Sequence, residues 1–204
     1  MAQSAAMPAF DVSAGVVALD YVNTLIGRRS TTPEEQLVTY LALLRFCEDA
    51  GELPPHRAAE LASLAVANAD DAAGVLAQAH LFREALHRIL LAHIADEPLD
   101  ANDLAVLNQT VQIALASSAL TPEERRFVWT FTPGEYSLLD PLAMLARSVF
   151  DLLRSDDLDR VRECANRECG WLFLDLSRNR SRKWCDMNTC GNRAKVRRFR
   201  ERGA

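Results

Sequence analysis

Cys164-Ala-Asn-Arg-Glu-Cys169 and Cys185-Asp-Met-Asn-Thr-Cys190 are two Cys-x4-Cys pairs separated by fifteen residues. Each pair sets two thiolates on one side of a tight turn, and two such turns complete a tetrahedral cage. Zinc favours that cage, being borderline-soft and free of any geometric demand beyond four ligands. Catalytic zinc keeps an open position for water, which four thiolates do not leave, so one structural zinc is expected and metal-dependent hydrolysis is not.

The residues around the pairs suggest how the cage is built. Gly170 to Asp175 has the composition of a strand, Ser177 to Ser181 reads as a polar turn, and Lys183-Trp184-Cys185 reads as the returning strand. A helix then begins near Gly191. Knuckle, β-hairpin, knuckle and helix is the order of a treble-clef-like zinc finger. Such a unit is too small to fold on an apolar core alone, so metal binding and folding should be coupled.

That last helix is cationic. At about 100° per residue, Val196 and Phe199 share a narrow stripe that would pack on Trp171, Phe173 or Trp184. Arg193, Arg197 and Arg200 flank it on one side, and Lys195, Arg198 and Arg202 on the other. With Arg178, Arg180, Arg182 and Lys183 of the polar turn, these residues form a candidate nucleic-acid surface, because several phosphates need neutralising and arginine reads guanine edges bidentately. Complementing the helix dipole would need only one or two of them.

Charge is sorted along the chain. The 204 residues carry a net charge of −5, yet Arg160 to Ala204 hold thirteen basic and five acidic residues, +8, leaving ten basic and 23 acidic residues, −13, in 1–159. The acidic body is unsuited to lying along phosphates and the basic end is suited to it. No apolar run approaches the roughly 18 residues that cross a bilayer, and the N-terminus lacks a signal-peptide layout. A soluble, cytoplasmic protein with reduced cysteines is therefore expected, with no membrane partner.

The body reads as helices. Val16 to Leu25 suggests a short helix closed by Gly27. Thr32-Pro33-Glu34-Glu35 resembles a capping box opening a helix through Leu37, Leu41, Leu44 and Cys47 to Gly51. Pro54-Pro55 opens another to about Asn68, Asp70 to Ala95 holds a longer one, and Asp100 or Asn102 caps a further one to about Leu115. Arg126 to Thr132 is rich in β-branched and aromatic residues and is closed by Pro133-Gly134, so a small hairpin continuing through Tyr136-Ser137-Leu138 is predicted. Asp140-Pro141 starts a helix with Leu142, Leu145, Val149 and Leu152 on one face. The fold class is mainly α: a helical domain with a small β-hairpin over 1–157, followed by the finger over 158–204.

The run from Cys164 through Gly170-Trp-Leu-Phe-Leu-Asp175 to Cys190-Gly-Asn-Arg-Ala-Lys195 resembles the CGNR zinc finger in nearly its whole pattern. Ala18-Leu-Asp-Tyr-Val-Asn-Thr-Leu25 is similar to the opening motif of the helical ABATE domain that typically precedes that finger. The resemblance implies Cys164, Cys169, Cys185 and Cys190 as zinc ligands and DNA binding through the finger, in a family of bacterial stress-related transcription regulators. Lys183 stands where the family usually has arginine, keeping the charge and losing the fork.

Other readings remain open at this point. His80, Arg83 and His87 share a helical face, and Asp20, Asn23, Arg83 and His87 could line a small-molecule effector pocket, or be ordinary hydrogen-bonded residues. The finger could be a structural plug holding its helix against the body. RNA is an alternative to DNA. A single finger gives little contact area, which points to a homodimer. Cys47 reads as a buried core thiol. No phosphate loop, nucleophile elbow or convincing carboxylate pair is present, so the chain is not read as an enzyme.

Overall fold

The computed structural model describes residues 10–131 and 135–202. In chain order its helices are α1 (Val17–Val22), α2 (Tyr40–Asp49), α3 (Pro55–Ala67), α4 (Ala69–Ala95), α5 (Ala101–Ala116), α6 (Asp140–Arg154) and α7 (Asn192–Arg202). Three antiparallel pairs accompany them: β1 (Leu25–Ile26) with β2 (Glu34–Glu35), β3 (Ser118–Glu123) with β4 (Arg126–Phe131), and β5 (Val161–Glu163) with β6 (Leu172–Leu174). The chain is mainly helical with small hairpins, as the sequence predicts.

Local chemistry sets most helix ends. Proline occupies the first turn of α3, where its missing N–H has no partner to lose. The Asp100 carboxylate accepts from the Asn102 and Asp103 amides to open α5, and Asp96 closes α4 in the left-handed conformation. α1 and α6 are largely buried: Ala18 to Val22 are buried, and α6 buries Leu142, Leu145, Val149 and Leu152 together with Pro141 and Ala143 to Ala146. The Tyr21 hydroxyl donates to the Ala79 carbonyl of α4, so the one polar atom of a fully buried ring is satisfied. Arg57 of α3 forks onto the Asp140 carboxylate through Nε and Nη2, at 3.0 and 2.7 Å, pinning the start of α6.

Three local expectations are corrected. Thr32 to Glu35 does not cap a helix: Glu34 and Glu35 form β2, and α2 starts at Tyr40 behind Thr39, whose hydroxyl accepts from the Ala42 amide. The Glu35 carboxylate is engaged elsewhere, by the Leu37 amide at 2.8 Å and by the Arg83 guanidinium. α1 likewise ends at Val22, and Leu25 enters β1 before Gly27, whose positive φ of 59° serves the β1–β2 turn. The aromatic strand β4 pairs backward with β3 and not forward through Tyr136 to Leu138, because Glu123 to Arg126 already make a tight turn with Glu124 at positive φ. Thr132, Pro133 and Gly134 lie outside the described residues.

Candidate metal centre and nucleic-acid interface

The four sulfur atoms of Cys164, Cys169, Cys185 and Cys190 lie within 4.8 Å of one another, all on buried residues. Cys169–Cys185 and Cys185–Cys190 are each separated by 3.7 Å. Four sulfurs held about 2.3 Å from a common centre at tetrahedral angles sit roughly 3.8 Å apart, so the donor set fits zinc. The thiols compete for ionisation: hydrogen bonds from its thiol neighbours pull Cys164 well below the ordinary thiol range, while Cys164 pushes both Cys169 and Cys185 above it. A divalent cation removes that conflict by stabilising all four thiolates together. Asn166, 3% exposed, donates from Nδ2 to the Cys190 sulfur at 3.4 Å, an outer hydrogen bond suited to a metal-bound thiolate. Sequence spacing did not single it out.

The two knuckles close by different means. At the first, the Cys164 amide donates to Trp171 O and the Cys169 amide to Asn166 O. At the second, Asp186 caps a π-helical turn (Met187–Gly191) by accepting from the Thr189 amide and hydroxyl at 2.7 and 2.8 Å, and the turn runs directly into α7. The returning strand expected at Lys183 to Cys185 is irregular, since β6 takes its partner from upstream, in β5. Arg182 explains the irregular path. Its guanidinium stacks over Phe173 at 4.4 Å and donates to the Trp184 and Cys185 carbonyls, giving that stretch the partners a ladder would have given.

β6 is shared by two cores. Leu172 and Leu174 face the body's main cluster of buried residues, and Phe173 between them faces the cysteines with Trp171 and Trp184. This is the two-residue alternation of a strand buried on both sides. Asn23, just after α1, acts as a neighbouring strand would: its Oδ1 accepts from the Leu172 amide at 2.9 Å and its Nδ2 donates to the Leu172 carbonyl at 2.8 Å. The Leu174 amide donates to Ala14 O at 2.8 Å, and Arg29 pairs with Glu163 at 2.6 Å. The finger is therefore built into the helical body.

This seam also accounts for the other residues read as a pocket. Asp20, 4% exposed, accepts from the Ala14 amide, and burial raises its carboxyl to about 6. Arg83 is held by Glu35, Glu84 and Thr24. Burial brings Glu35 no gain, yet the Arg83 guanidinium outweighs it and holds the carboxyl below its ordinary value. His87 lies against Gly170 and Arg28, and burial lowers it to about 4. Asp20, Asn23, Arg83 and His87 thus order the body and its seam with the finger, and none of them lines the cavities of about 430, 320, 370 and 500 Å³ found among the described residues.

The cationic surface differs from the helical-wheel expectation. Ala194 is the buried contact of α7, 4% exposed, whereas Val196 and Phe199 are 50% and 81% exposed. With Ala194 turned inward, the Val196–Phe199 stripe faces outward. Arg193, Lys195 and Arg200 are exposed, Arg197 is half-buried, and Arg198 lies in the same helix. Arg178, Arg180 and Lys183 are exposed on the turn, and Arg182 is committed to the finger's interior. Among the described residues, no carboxylate forms an ion pair with Arg178, Arg180, Lys183, Arg193, Lys195 or Arg200. None of the described helices is long and apolar enough to cross a membrane.

No curated protein matches the chain in sequence. Two family models do: the CGNR zinc finger over residues 160–203, and ABATE, described as "Putative stress-induced transcription regulator", over residues 15–156. The second alone spans well over half of the chain and covers α1 to α6, so the protein belongs to the ABATE family and carries a CGNR zinc finger built into its last strand pair and helix.

Proposed function

We propose that the protein is a bacterial DNA-binding transcription regulator in which zinc holds the finger, the finger presents cations to duplex DNA, and the helical body receives a stress-related signal in the cytoplasm. The observation that carries the reading is the set of exposed cations on α7 and the 177–183 turn that have no carboxylate partner among the described residues. Several acidic groups of the body are engaged with the body's own arginines, Glu35 with Arg83, Asp140 with Arg57 and Asp103 with Arg88. The finger's charges are thus left for phosphates. The role is non-enzymatic, and a homodimer supplies the contact area that one finger lacks.

The test is a titration of the zinc-loaded protein into random-sequence duplex DNA at two salt concentrations, beside the chelated protein and a single-stranded RNA of equal length. Metal-dependent binding to duplex that weakens steeply with salt supports the reading. Tighter binding to RNA moves the target class. A second reading, the finger as a structural plug, is favoured by the insertion of Leu172 and Leu174 into the body core. It predicts no binding in either form, with chelation changing only stability or oligomeric state.

A further inference from the structure

A cavity of about 430 Å³ opens between the β4 strand and α6, away from the zinc cage and from the seam residues. Trp129 and Phe131 form one wall, Met144 and Leu152 of α6 the floor, and Arg147, Glu52 and Asp151 the polar lining. Arg147 stacks over the Phe131 ring at 5.1 Å. Among the described residues it makes neither a hydrogen bond nor an ion pair, although Glu52 and Asp151 line the same cavity. Neighbouring Arg57, by contrast, donates from Nε and Nη2 to Asp140 and from Nη2 to the Glu135 carbonyl. Opposite charges therefore face one space without meeting across it.

We propose that this cavity binds a small zwitterion with an apolar side chain, of the free amino acid class, its carboxylate on Arg147, its ammonium on Glu52 and Asp151, and its side chain on Trp129 and Phe131. Each one-charge alternative leaves a conflict. A plain anion would take Arg147 and be repelled by two carboxylates, and a plain cation would take the carboxylates and be repelled by the guanidinium. A ligand with both charges engages both sides, while the aromatic wall and aliphatic floor take the apolar part. The electrostatics of the empty walls agree. Burial lowers Arg147 and raises Glu52, so each charge gains from an opposite charge brought beside it.

The position suits an effector. Ser155 and Asp157 also line the cavity, at the turn that leads from α6 into β5 and the finger, and Val16 lines it next to Gly15, which abuts Leu174 of β6. The inference deepens the sensing part of the proposed function and rests on it. It does not depend on nucleic-acid binding.

The experiment uses the full-length, zinc-loaded protein without nucleic acid. Thermal denaturation and calorimetric titration are run with L-phenylalanine, L-leucine and L-methionine, and with two one-charge analogues, phenethylamine and 3-phenylpropionate. At least one amino acid is expected to raise Tm by roughly 5–10 °C at a hundredfold excess over its Kd. Each analogue should bind at least tenfold more weakly than L-phenylalanine, and Arg147→Gln should lose the amino acid response, with Arg147→Lys recovering part of it. The inference is overturned if none of the three amino acids shifts Tm at 10 mM, if either analogue matches L-phenylalanine, or if R147Q binds as the wild type does. The analogue series is read on the wild-type protein, so it decides the matter even if a variant folds poorly. Because no nucleic acid is present, failure here leaves the DNA-binding reading standing, and failure of DNA binding leaves this one standing.

Discussion

Replacing Asn23 tests whether the finger and the helical body are one structure. Its side chain is 4% exposed and makes both of its hydrogen bonds to the backbone of Leu172, the first residue of the strand that serves two cores. Asn23→Ala removes one acceptor and one donor and leaves a buried N–H and a buried C=O without partners. Each such group costs about 1–3 kcal/mol, so the pair should cost about 2–6 kcal/mol. For a domain of this length that corresponds to a fall in Tm of roughly 4–24 °C. Water entering the vacated space would bring Asn23→Ala toward the lower end. Asn23→Leu, which fills the space with apolar atoms, should lie toward the upper end. The assay is thermal and urea denaturation followed by far-UV circular dichroism, with zinc release to a chromophoric chelator recorded on the same samples. The zinc release midpoint should move with the helical signal, since Leu172 belongs to the body core and Phe173 beside it to the cage. If both variants stay within about 0.5 kcal/mol of the wild type, the range of neutral surface changes, or if zinc is released in a separate earlier transition while the helices melt unchanged, the account of the seam is refuted.

Other tests address other parts. Stripping zinc with a chelator is expected to lower the Tm of the helical body as well as unfold the finger, because Leu172 and Leu174 leave the core with it; an unchanged helical transition would contradict this. In duplex binding, Arg193, Lys195 and Arg200 changed together to alanine should reduce the slope of log K against log salt by about 2.7, equivalent to about 1.6 decades less loss of affinity between 50 and 200 mM salt. Arg182→Gln should leave that slope unchanged and instead speed zinc release, because its guanidinium holds Trp184 and Cys185; a slope change of one unit would place it on the phosphates. Gly15→Ala should destabilise strongly, since φ is 107° and the added Cβ would meet the Leu174 Cβ at 3.0 Å; a variant as stable as wild type would refute the close packing. Between pH 5 and 7, Asp20, raised to about 6, contributes stability that is lost as pH rises through that value, whereas His87, lowered to about 4, makes stability fall as pH drops below about 6.5. The two slopes oppose each other in the wild type, so Asp20→Asn should leave stability rising with pH and His87→Asn should leave it falling, as read by urea midpoints.

The metal centre was legible in the sequence because cage chemistry is carried by four residues at fixed spacing, and two spacings suffice to specify it. The long helices were legible for a related reason: Pro55, Asp100 and the α6 periodicity act locally. The failures share a different cause. Thr32 to Glu35 carries the local signature of a helix start, but Arg83, 48 residues from Glu35, takes that carboxylate. Aromatic β4 was recognisable as a strand, but Ser118 to Glu123, its partner, contains proline and two exposed polar residues and has little strand character of its own. Val196 and Phe199 looked like the packing stripe of α7 because they are the apolar residues on it. Ala194 is buried in their place, and a helical wheel alone does not fix which face of a short helix turns inward. Arg182 and Asn23 were read in the sequence as a nucleic-acid contact and a pocket residue. Their roles lie in bonds to the Trp184, Cys185 and Leu172 backbone, and sequence periodicity carries no record of such bonds.

The shared strand also restricts how a signal in the body could alter the finger. Unfolding the cage alone would draw Leu172 and Leu174 out of the main core and break both Asn23 bonds, so a switch that melts the finger must also overcome part of the body's stability. α7 is under no such restraint. It follows the cage through the π-helical turn, buries Ala194, and turns Val196, Phe199 and its exposed cations outward. A change in the body therefore acts at lower cost on what α7 is allowed to contact than on whether the finger is folded. On the function proposed above, the inserted hairpin is the plug, and the helix beyond Cys190 is the contact. The two readings of the finger describe different segments of one module, which is why chelation and arginine substitution should be measured separately: the first addresses the segment up to Cys190, and the second the segment after it.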